Sequence, residues 1–394
     1  MMPGGLVRHA ADDGRVTVSM QHGGESKDAW VVRDPKSGAR ATPHIVSSKT
    51  IRRSRIDLPS RTADNLYWLG RYVERAEALA RLQRTICNLL TEEVGDSSQK
   101  AIIPFIEQIS QPDDDLDELI EPESEALNIA AIEQILIKSL FDPENPESLI
   151  CNLRFIERAA YKVKERLSLD TWKRMQALRD VAHSRHKSAT SIFDDEVFIF
   201  LDETLENLAI FVGNIFENMT RSQGWKFLQI GRRVERALSI SALLQTGFSE
   251  RKPYEETLVS QLLNWADSII TYRRRYLNTI QISSALDLLC FDPHNPRSLV
   301  FQVSNLRELL SNLPHGDDNQ RNTIDTLALQ LFSRIGLSDP DSLLQGSIEE
   351  RKESVEAFFN SIYQTLLDLA EAVQHHYFAH TKQASAPKAN AIIG

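Results

Sequence analysis

The sequence predicts an all-α fold, a helical bundle built from two homologous halves and preceded by a small β-type N-terminal segment. From Ser60 onward, apolar residues recur at alternating spacings of four and three, as at Leu201, Leu205 and Leu208. This spacing places each apolar set on one face of a helix. Two motifs occur twice in that region, whereas strand-forming residues between turn residues are confined to the first 40 positions.

Residues 1–40 have the composition of short strands joined by turns. The segments LVRHA and RVTVSM flank ADDG, which is typical of a β-hairpin around an Asp-Gly turn. QHGGESKD then predicts a flexible loop, and AWVV a third short strand. Because three short strands cannot close a core, we expect this segment to pack against another body. Residues 41–59 are polar and unpatterned, which predicts a linker.

The helical region carries two motifs that each occur twice. GRYVERA at Gly70–Ala76 returns 161 residues later as GRRVERA at Gly231–Ala237. FDPENPESL at Phe141–Leu149 returns 150 residues later as FDPHNPRSL at Phe291–Leu299. The acidic segment Gln111–Glu125 accounts for the extra length of the first copy.

The repeat predicts how the helical domain, residues 60–378, is organised. We expect two homologous halves, about 60–190 and 191–378, because two copies are too few for a solenoid. A pseudo-twofold pairing of the halves is the simplest arrangement. Residues 379–394 are expected to form a disordered tail.

Composition and charge limit the classes of function. The chain has 394 residues, of which 42% are hydrophobic and 25% charged, as in a globular protein. Its net charge of −10 argues against nucleic acid as the main partner, because phosphate binding needs a positive field. No apolar run has the length of a signal-peptide core or a membrane span. We therefore expect a cytoplasmic protein without a nucleic-acid or membrane partner.

Metal and catalytic signatures are weak. Cys87, Cys151 and Cys290 are far apart beside apolar residues, which predicts buried thiols rather than disulfides or a zinc site. Glu371 and His375 have a spacing that can hold a metal, but histidines are also favoured at helix C-termini. We expect no metal in this chain. The sequence contains no Walker loop, no dinucleotide-binding glycine motif and no Ser-His-Asp signature.

The Asn-Pro pairs of the second motif predict helix starts. Asn145 and Asn295 are favourable N-caps, and the proline after each suits the first position of a helix. An apolar periodic run follows at Leu149 and at Leu299. We therefore expect these segments to fix the angle between two helices in each half.

The Gly-Arg-x-Val-Glu-Arg-Ala motif is harder to explain by helix formation alone. Glycine inside a helix costs roughly 1 kcal/mol relative to alanine, so we expect another element to approach Gly70 closely. Glu74 shares the helix face of Gly70. Arg75 lies on an otherwise apolar stripe, where a charge must be paired or line a cavity. The Glu-Arg pair recurs on two further predicted helices, at Glu157-Arg158 and Glu235-Arg236.

These charged pairs allow two interpretations. In one, they form a buried ionic network that fixes the packing of the bundle. In the other, several arginines converge on a cavity and hold a carboxylate or phosphate, groups that suit the guanidinium fork. The segment WADSIITYRRRYLN adds Arg273, Arg274 and Arg275, which form either a solvated basic face or part of an anion-binding lining.

Together, SRTADNLYWLGRYVERAEALARL, the second GRRVERA, both FDPxNPxSL blocks and ADSIITYRRRY resemble the bacterial Alpha-E domain family over residues 60–378. This resemblance implies an all-helical domain, named for its Glu-Arg motif, with no established activity of its own. MPGGLVRHA and VTVSMQHGGESKDAWVV resemble the C-terminal end of circularly permuted ATP-grasp proteins, which are often fused to or encoded beside an Alpha-E domain. Residues 1–40 are then expected to be a fragment that lacks the nucleotide- and metal-binding core.

The resemblance implies a place in a ligation system. Circularly permuted ATP-grasp relatives are thought to join a carboxylate to an amine, in gene neighbourhoods with transglutaminase-like peptidases. We expect an accessory helical module that binds the ATP-grasp protein, its carboxylate-bearing peptide substrate or such a peptidase, with ATP and magnesium only in the partner. The alternatives are an enzyme that uses a motif Glu as acid or base and Arg as anion clamp, and a purely structural scaffold. No catalytic residue is assigned, and the candidate binding residues are Glu74, Arg75, Glu157, Arg158, Glu235, Arg236, Arg273 and Arg275.

Overall fold

In a computed structural model, the chain divides into two compact units, Met1–Asp57 and Leu58–Gly394. The structure describes residues 4–9, 25–30, 58–91, 99–121, 126–184, 191–248, 255–276, 279–314 and 318–378. The predicted strand at 15–20, most of the predicted linker and the predicted tail at 379–394 lie outside these ranges.

In the first unit, the two described strands form an antiparallel pair, β1 (Gly4–His9) and β2 (Glu25–Trp30). The register sets Gly4 opposite Trp30. The prediction of a loop at Glu25–Asp28 was wrong, because these residues belong to β2. Backbone pairing with β1 compensates for the poor strand propensity of their charged side chains.

Helices are the main secondary structure of the described part of the second unit, which confirms the predicted all-α fold. Its fourteen described α-helices are α1 (Ser60–Thr91), α2 (Ile103–Glu107), α3 (Ile129–Phe141), α4 (Leu149–Lys162), α5 (Leu169–Ser184), α6 (Asp195–Asn218), α7 (Gln223–Phe248), α8 (Glu255–Trp265), α9 (Ile269–Tyr276), α10 (Ile282–Leu286), α11 (Leu299–Ser311), α12 (Asp318–Gly336), α13 (Pro340–Leu343) and α14 (Ile348–Phe378). Further single turns are the 3-10 segments Lys100–Ile102, Leu116–Leu119 and Lys164–Arg166 and the π segment Asp287–Phe291. None of the described helices combines the length and the hydropathy needed to cross a bilayer.

The long helices α1 and α7 lie at the centre of the second unit and make its most extensive interhelical contact. α1 packs on α4 and α6, and α7 packs on α11 and α14 in the same way. α5 joins α4 to α6, as α12 joins α11 to α14. The packing therefore repeats, with α1–α6 as one half, which ends at Asn218, and α7–α14 as the other.

The apolar periodicity of α1 explains its central position. The apolar residues of this helix that recur at spacings of three and four are all buried in the core, namely Leu66, Leu69, Val73, Ala76 and Ala80. Because a helix with a wide apolar face must bury it against neighbours, α1 is covered by helices of both halves.

The FDPxNPxSL segments do start helices, but three residues later than predicted. Ser148 caps α4 by accepting a hydrogen bond from an amide of the first turn at 3.3 Å, and Ser298 caps α11 in the same way. Asn145 instead accepts from the Glu147 amide at 2.9 Å, within a turn. A serine oxygen caps as well as asparagine, and the Ser148 hydroxyl is also fixed by donating to the Asp142 carbonyl at 2.6 Å.

The three cysteines are buried free thiols, as predicted. Burial raises the pKa of the Cys87 thiol to about 12 and raises that of Cys290 well above its usual value. Since the thiolate is the reactive form, burial disfavours nucleophilic chemistry at Cys87 and Cys290.

Candidate binding site between the two motif helices

α1 and α7 meet at the two glycines of the repeated motif. A Cβ atom on Gly70 would overlap the carbonyl oxygen of Leu228 on α7, and one on Gly231 would overlap that of Tyr67 on α1. Only glycine allows the backbones to come this close. The expectation that an element approaches Gly70 is confirmed, and that element is the second copy of the motif. Corresponding positions face each other, so the two helices run in the same direction at this contact.

Each motif copy contributes two arginines and one glutamate to a group of ion pairs between α1 and α7. We call this group the motif cluster, and it consists of Arg71, Glu74, Arg75, Arg232, Glu235 and Arg236. On one side, the Nε atoms of Arg71 and Arg75 each donate a hydrogen bond to Glu235 at 2.6 Å. A single carboxylate of α7 therefore holds two guanidinium groups of α1.

The other side of the motif cluster repeats this arrangement with the copies exchanged. The Nε atoms of Arg232 and Arg236 on α7 each donate to Glu74 on α1 at 2.6 Å. The exchange of partners gives the cluster a local pseudo-twofold symmetry. Glu74 and Arg232 are buried, whereas the Arg236 side chain is 13% exposed.

The motif cluster keeps both of its carboxylates ionised. Burial raises the pKa of Glu235, but the positive charges of Arg71 and Arg75 outweigh this effect and lower that pKa to about 2. For Glu74, burial is likewise outweighed by the two arginines of α7, so its pKa is lowered. A carboxylate with such a low pKa accepts a proton poorly near neutral pH, which does not favour either residue as a general base.

A partly open cavity of about 130 Å³ lies beside Arg75, on one side of the α1–α7 contact. The Arg75 side chain is 25% exposed, and its terminal amino groups make no hydrogen bond to the described residues. Glu235 and Arg71 also line the cavity. The apolar part of the wall includes Leu79, Leu82, Ile109, Leu238, Leu243 and Leu367.

Glu147 and Tyr363 also belong to the polar lining of this cavity, together with Gln108, Gln111, Ser139, Asn145 and Ser239. Glu147 accepts a hydrogen bond from Nε2 of Gln111 at 3.1 Å and forms no ion pair with a described residue. Burial raises the pKa of Tyr363, and the negative charge of Glu235 adds to the effect, so its hydroxyl keeps its proton. The cavity therefore offers a cation, a carboxylate and a hydroxyl donor next to an apolar wall.

The opposite side of the α1–α7 contact is almost filled, with a cavity of only about 20 Å³. Its wall includes Glu77, which accepts hydrogen bonds from Arg297 at 2.8 Å and from Arg236 at 3.2 Å. Arg81 donates to the same carboxylate at 3.0 Å. Trp265 fills space there and donates its indole N–H to a backbone carbonyl of α1 at 3.1 Å. Internal charges thus satisfy one another on this side.

The structure does not bring the remaining predicted residues to the cavity. Glu157 and Arg158 lie on α4, where Arg158 is exposed, and neither belongs to the cavity lining or the motif cluster. Their Glu-Arg pair lacks the preceding glycine that lets α1 and α7 touch. Arg273 is exposed on α9, and Arg275 pairs with Asp292. The exposure of Arg273 and the pairing of Arg275 with Asp292 favour a solvated basic face over an anion-binding lining.

Sequence reasoning missed the other charged residues of the site. Arg71 and Arg232 belong to the repeated motif, three residues before each glutamate, and this helical spacing could have placed them on the contact face. The pair between Glu77 and Arg297 joins residues 220 positions apart, so no local pattern indicates it. Tyr363 carried no signal either, because its helix approaches the cavity only through tertiary packing.

In the part of the chain that the structure describes, no three His, Cys, Asp or Glu side chains lie close enough together to hold a metal ion. Glu371 and His375, whose spacing could hold a metal, lie on α14 and belong to no such group of described residues.

Comparisons with known proteins bear on the helical unit. The uncharacterised protein Rv2567 of Mycobacterium tuberculosis strain H37Rv is 29% identical over 323 residues, covering 79% of this chain but 36% of that protein. The uncharacterised protein Mb2597 of Mycobacterium bovis matches to the same extent, so the chain spans little more than a third of these relatives. No solved structure matches. A family model, described as a predicted alpha-helical domain with a conserved ER motif, matches residues 58–378, and the chain therefore belongs to the Alpha-E family.

Proposed function

We propose that this chain is an accessory binding module of an ATP-dependent amide- or peptide-ligation system, and that its cavity holds a substrate carboxylate. The observation that carries the proposal is the state of Arg75. Its Nε is held by Glu235 at 2.6 Å, while its side chain remains 25% exposed in the cavity wall. A guanidinium group has further donors that can bind a second carboxylate in a charge-assisted contact.

The rest of the lining supports a small substrate group with an apolar part. Leucine side chains of α1, α7 and α14 line the cavity, and the protonated hydroxyl of Tyr363 can donate a hydrogen bond. An apolar pocket with a few polar groups is the usual form of a small-molecule site. The cavity volume of about 130 Å³ suits one substrate group rather than a whole cofactor.

The proposed partner is a circularly permuted ATP-grasp protein in the cytoplasm, which would bind ATP and magnesium itself. The N-terminal segment supports this choice, because residues 3–33 resemble the end of that domain. The described pair β1–β2 offers backbone edges to which another sheet can add a strand. A transglutaminase-like peptidase is a second candidate partner, because such peptidases are encoded in the gene neighbourhoods of the ATP-grasp relatives.

The motif cluster weakens the alternative of an independent enzyme. Both glutamates are bound by two arginines each, and their pKa values are lowered, so neither is poised to take up a proton. A purely structural scaffold would account for the ion pairs of the motif cluster. It would not account for the cavity beside Arg75, which is the feature that favours binding.

A titration with carboxylates tests the proposed site. Acetate, 3-methylbutanoate and 4-methylpentanoate would be added to the purified full chain, and binding measured by ligand-observed NMR. Arg75→Gln should weaken binding by roughly tenfold or more, because it removes a charge-assisted contact. Arg84→Gln is the matched control, since Arg84 lies on the same helix in an exposed pair with Asp202. Equal binding by wild type and Arg75→Gln, or no binding by wild type, would refute the site.

Co-purification tests the partner separately. The full chain and a version without residues 1–40 would each be produced with a circularly permuted ATP-grasp protein. Association that survives the deletion would assign the contact to the helical unit, and association that is lost would assign it to strand addition. If neither version associates, the choice of partner is wrong.

A further inference from the structure

The filled cavity shows what the motif arginine of the second copy binds. There the carboxylate of Glu77 lies between two guanidinium groups, 3.2 Å from Arg236 and 2.8 Å from Arg297. Burial raises the pKa of Glu77, but the positive charges of these neighbours outweigh that effect and lower the pKa, so the carboxylate is ionised. In this copy, the protein itself supplies the anion that meets the motif arginine.

The open cavity occupies the equivalent position in the first copy. Of the three charged side chains Arg236, Glu77 and Arg297, it keeps the first and replaces the other two. Through the 161-residue repeat, the motif arginine is Arg75 and the position of the internal carboxylate is taken by Leu238. Through the 150-residue repeat, Arg297 is replaced by Glu147. The open copy therefore keeps the first cation, lacks the internal anion and carries a negative charge where the filled copy carries a positive one.

These replacements define the charges of a ligand. Arg75 contacts Glu235 but has no equivalent of Glu77, the second carboxylate that its counterpart Arg236 contacts. Glu147 has no described cation as partner. A ligand that supplied only a carboxylate would face the uncompensated charge of Glu147. A ligand that also carried a positive group would satisfy both side chains. In the filled copy, the counterparts of these two residues both contact a single carboxylate, so the two ligand charges must be close together.

We infer that the cavity binds an α-amino-acid head group, with its carboxylate on Arg75, its ammonium on Glu147 and an apolar substituent against the leucine wall. This inference rests on the proposed function, from which it takes the carboxylate at Arg75, and it adds the ammonium and its partner. The apolar residues Leu79, Leu82 and Leu243 provide the surface for the substituent. The low polarity of this wall strengthens both charge contacts relative to bulk water.

The test uses pairs of ligands that differ only in the ammonium group. The pairs are alanine with propionate, valine with 3-methylbutanoate and leucine with 4-methylpentanoate, each titrated into the full chain. At least one amino acid should bind wild type about tenfold more tightly than its deamino partner. Glu147→Gln, which keeps the shape of the side chain, should abolish that preference without weakening binding of the carboxylate. A melting curve would confirm that this variant is folded.

The outcomes separate the inference from the proposed function. Equal affinities within every pair in wild type, or a preference that survives Glu147→Gln, would overturn the inference while leaving the carboxylate site in place. Failure of all six ligands to bind would overturn the proposed carboxylate site and the inference with it. The comparison of each amino acid with its deamino partner in wild type needs no variant. It therefore tests the inference even if a substitution disturbs the fold.

Discussion

Glu235 and Glu74 are the residues on which the centre of the molecule depends, because each neutralises two arginines. Glu235 and Arg71 are both buried, with exposed side-chain fractions of 8% and 5%. A buried ion pair often contributes little relative to an apolar pair of the same volume, but loss of one partner leaves an uncompensated charge in the core. The motif cluster is therefore sensitive to removal of a single member.

Replacement of Glu235 by glutamine should reveal this sensitivity. We expect Glu235→Gln to lower the free energy of unfolding by about 3–5 kcal/mol, measured by urea denaturation, because Arg71 stays charged and buried. Asp202→Asn, which removes an exposed partner of Arg84, should change it by less than about 0.5 kcal/mol. A second replacement, Arg71→Met, should restore part of the loss in Glu235→Gln. A loss below about 1 kcal/mol would show that the motif cluster is not the buried network described above.

For single residues, the sequence indicated that the charge of Arg75 must be paired or line a cavity, but it did not indicate which residue pairs with it. The position of Arg75 on an apolar stripe predicted that its charge is paired or lines a cavity, and the structure shows both. Its partner Glu235 is 160 residues away, and only the packing of α1 on α7 brings them together. Arg158 follows a glutamate on α4 in the same way, yet it is exposed. A dipeptide alone therefore does not define the site.

Among the helices, the contact of α1 with α7 sets the geometry of both cavities. The backbones touch at Gly70 and Gly231, and the arginines of each helix then reach the glutamate of the other. A wider spacing between these helices would pull the ion pairs apart. The ion pairs of Glu74 and Glu235, one helical turn after the glycines, therefore depend on the close contact that Gly70 and Gly231 allow.

Alanine is usually more favourable than glycine inside a helix, but we expect the opposite at Gly70 and Gly231. Gly70→Ala should destabilise the fold, because its methyl group would overlap the Leu228 carbonyl, and Gly231→Ala should do the same. Gly213→Ala on α6 is the control, since nothing lies within 4 Å of the added atom. There we expect a gain of up to about 1 kcal/mol. Thermal denaturation would measure all three, and a gain for Gly70→Ala would contradict the close contact.

The helices themselves could be predicted because apolar spacing is a local property of the sequence. The repeated motifs also indicated paired halves, whereas local signals failed where tertiary bonds decide the outcome. Ser148 starts α4 in place of Asn145 because its hydroxyl is fixed by the Asp142 carbonyl. β2 includes Glu25–Asp28 because β1 pairs with it. These errors concern boundaries, and the type of most elements was evident.

For the whole molecule, the buried carboxylates link stability to pH. The pKa values of Glu74, Glu77 and Glu235 are lowered in the folded state, relative to about 4.3 in an unfolded chain. Groups of this kind stabilise the fold fully above the unfolded pKa. That stabilisation is lost as the pH falls through the folded pKa, which is about 2 for Glu235.

The destabilising effect of Glu235→Gln should therefore depend on pH in a defined window. We expect the difference in unfolding free energy between wild type and variant to be constant above about pH 5. It should then shrink by about 1.4 kcal/mol per pH unit between about pH 4 and pH 2, since the variant lacks this titration. Urea denaturation at pH 7, 5, 4 and 3 would measure it. A difference that is the same at pH 7 and pH 3 would mean that Glu235 has an ordinary pKa.

The asymmetry of the two halves is the feature of the whole molecule that bears most on function. Both cavities lie beside a motif arginine, but one contains Glu77 and Arg297 and the other contains Leu238 and Glu147. Alignment of the two copies shows these differences in the sequence. The effect of these differences on the charges of the two cavities could not be predicted, because no local pattern indicates that residues 77 and 297 are in contact.

Conversion of the open cavity into the filled one tests the central claim most directly. The double variant Leu238→Glu with Glu147→Arg places the internal charges of the filled copy beside Arg75. Leucine and 4-methylpentanoate would be titrated into wild type and this variant, with helical content checked by circular dichroism. We expect wild type to bind and the folded variant to lose at least about tenfold in affinity, because its own carboxylate occupies the guanidinium group. Undiminished binding by the folded variant would show that the cavity beside Arg75 is not the binding site.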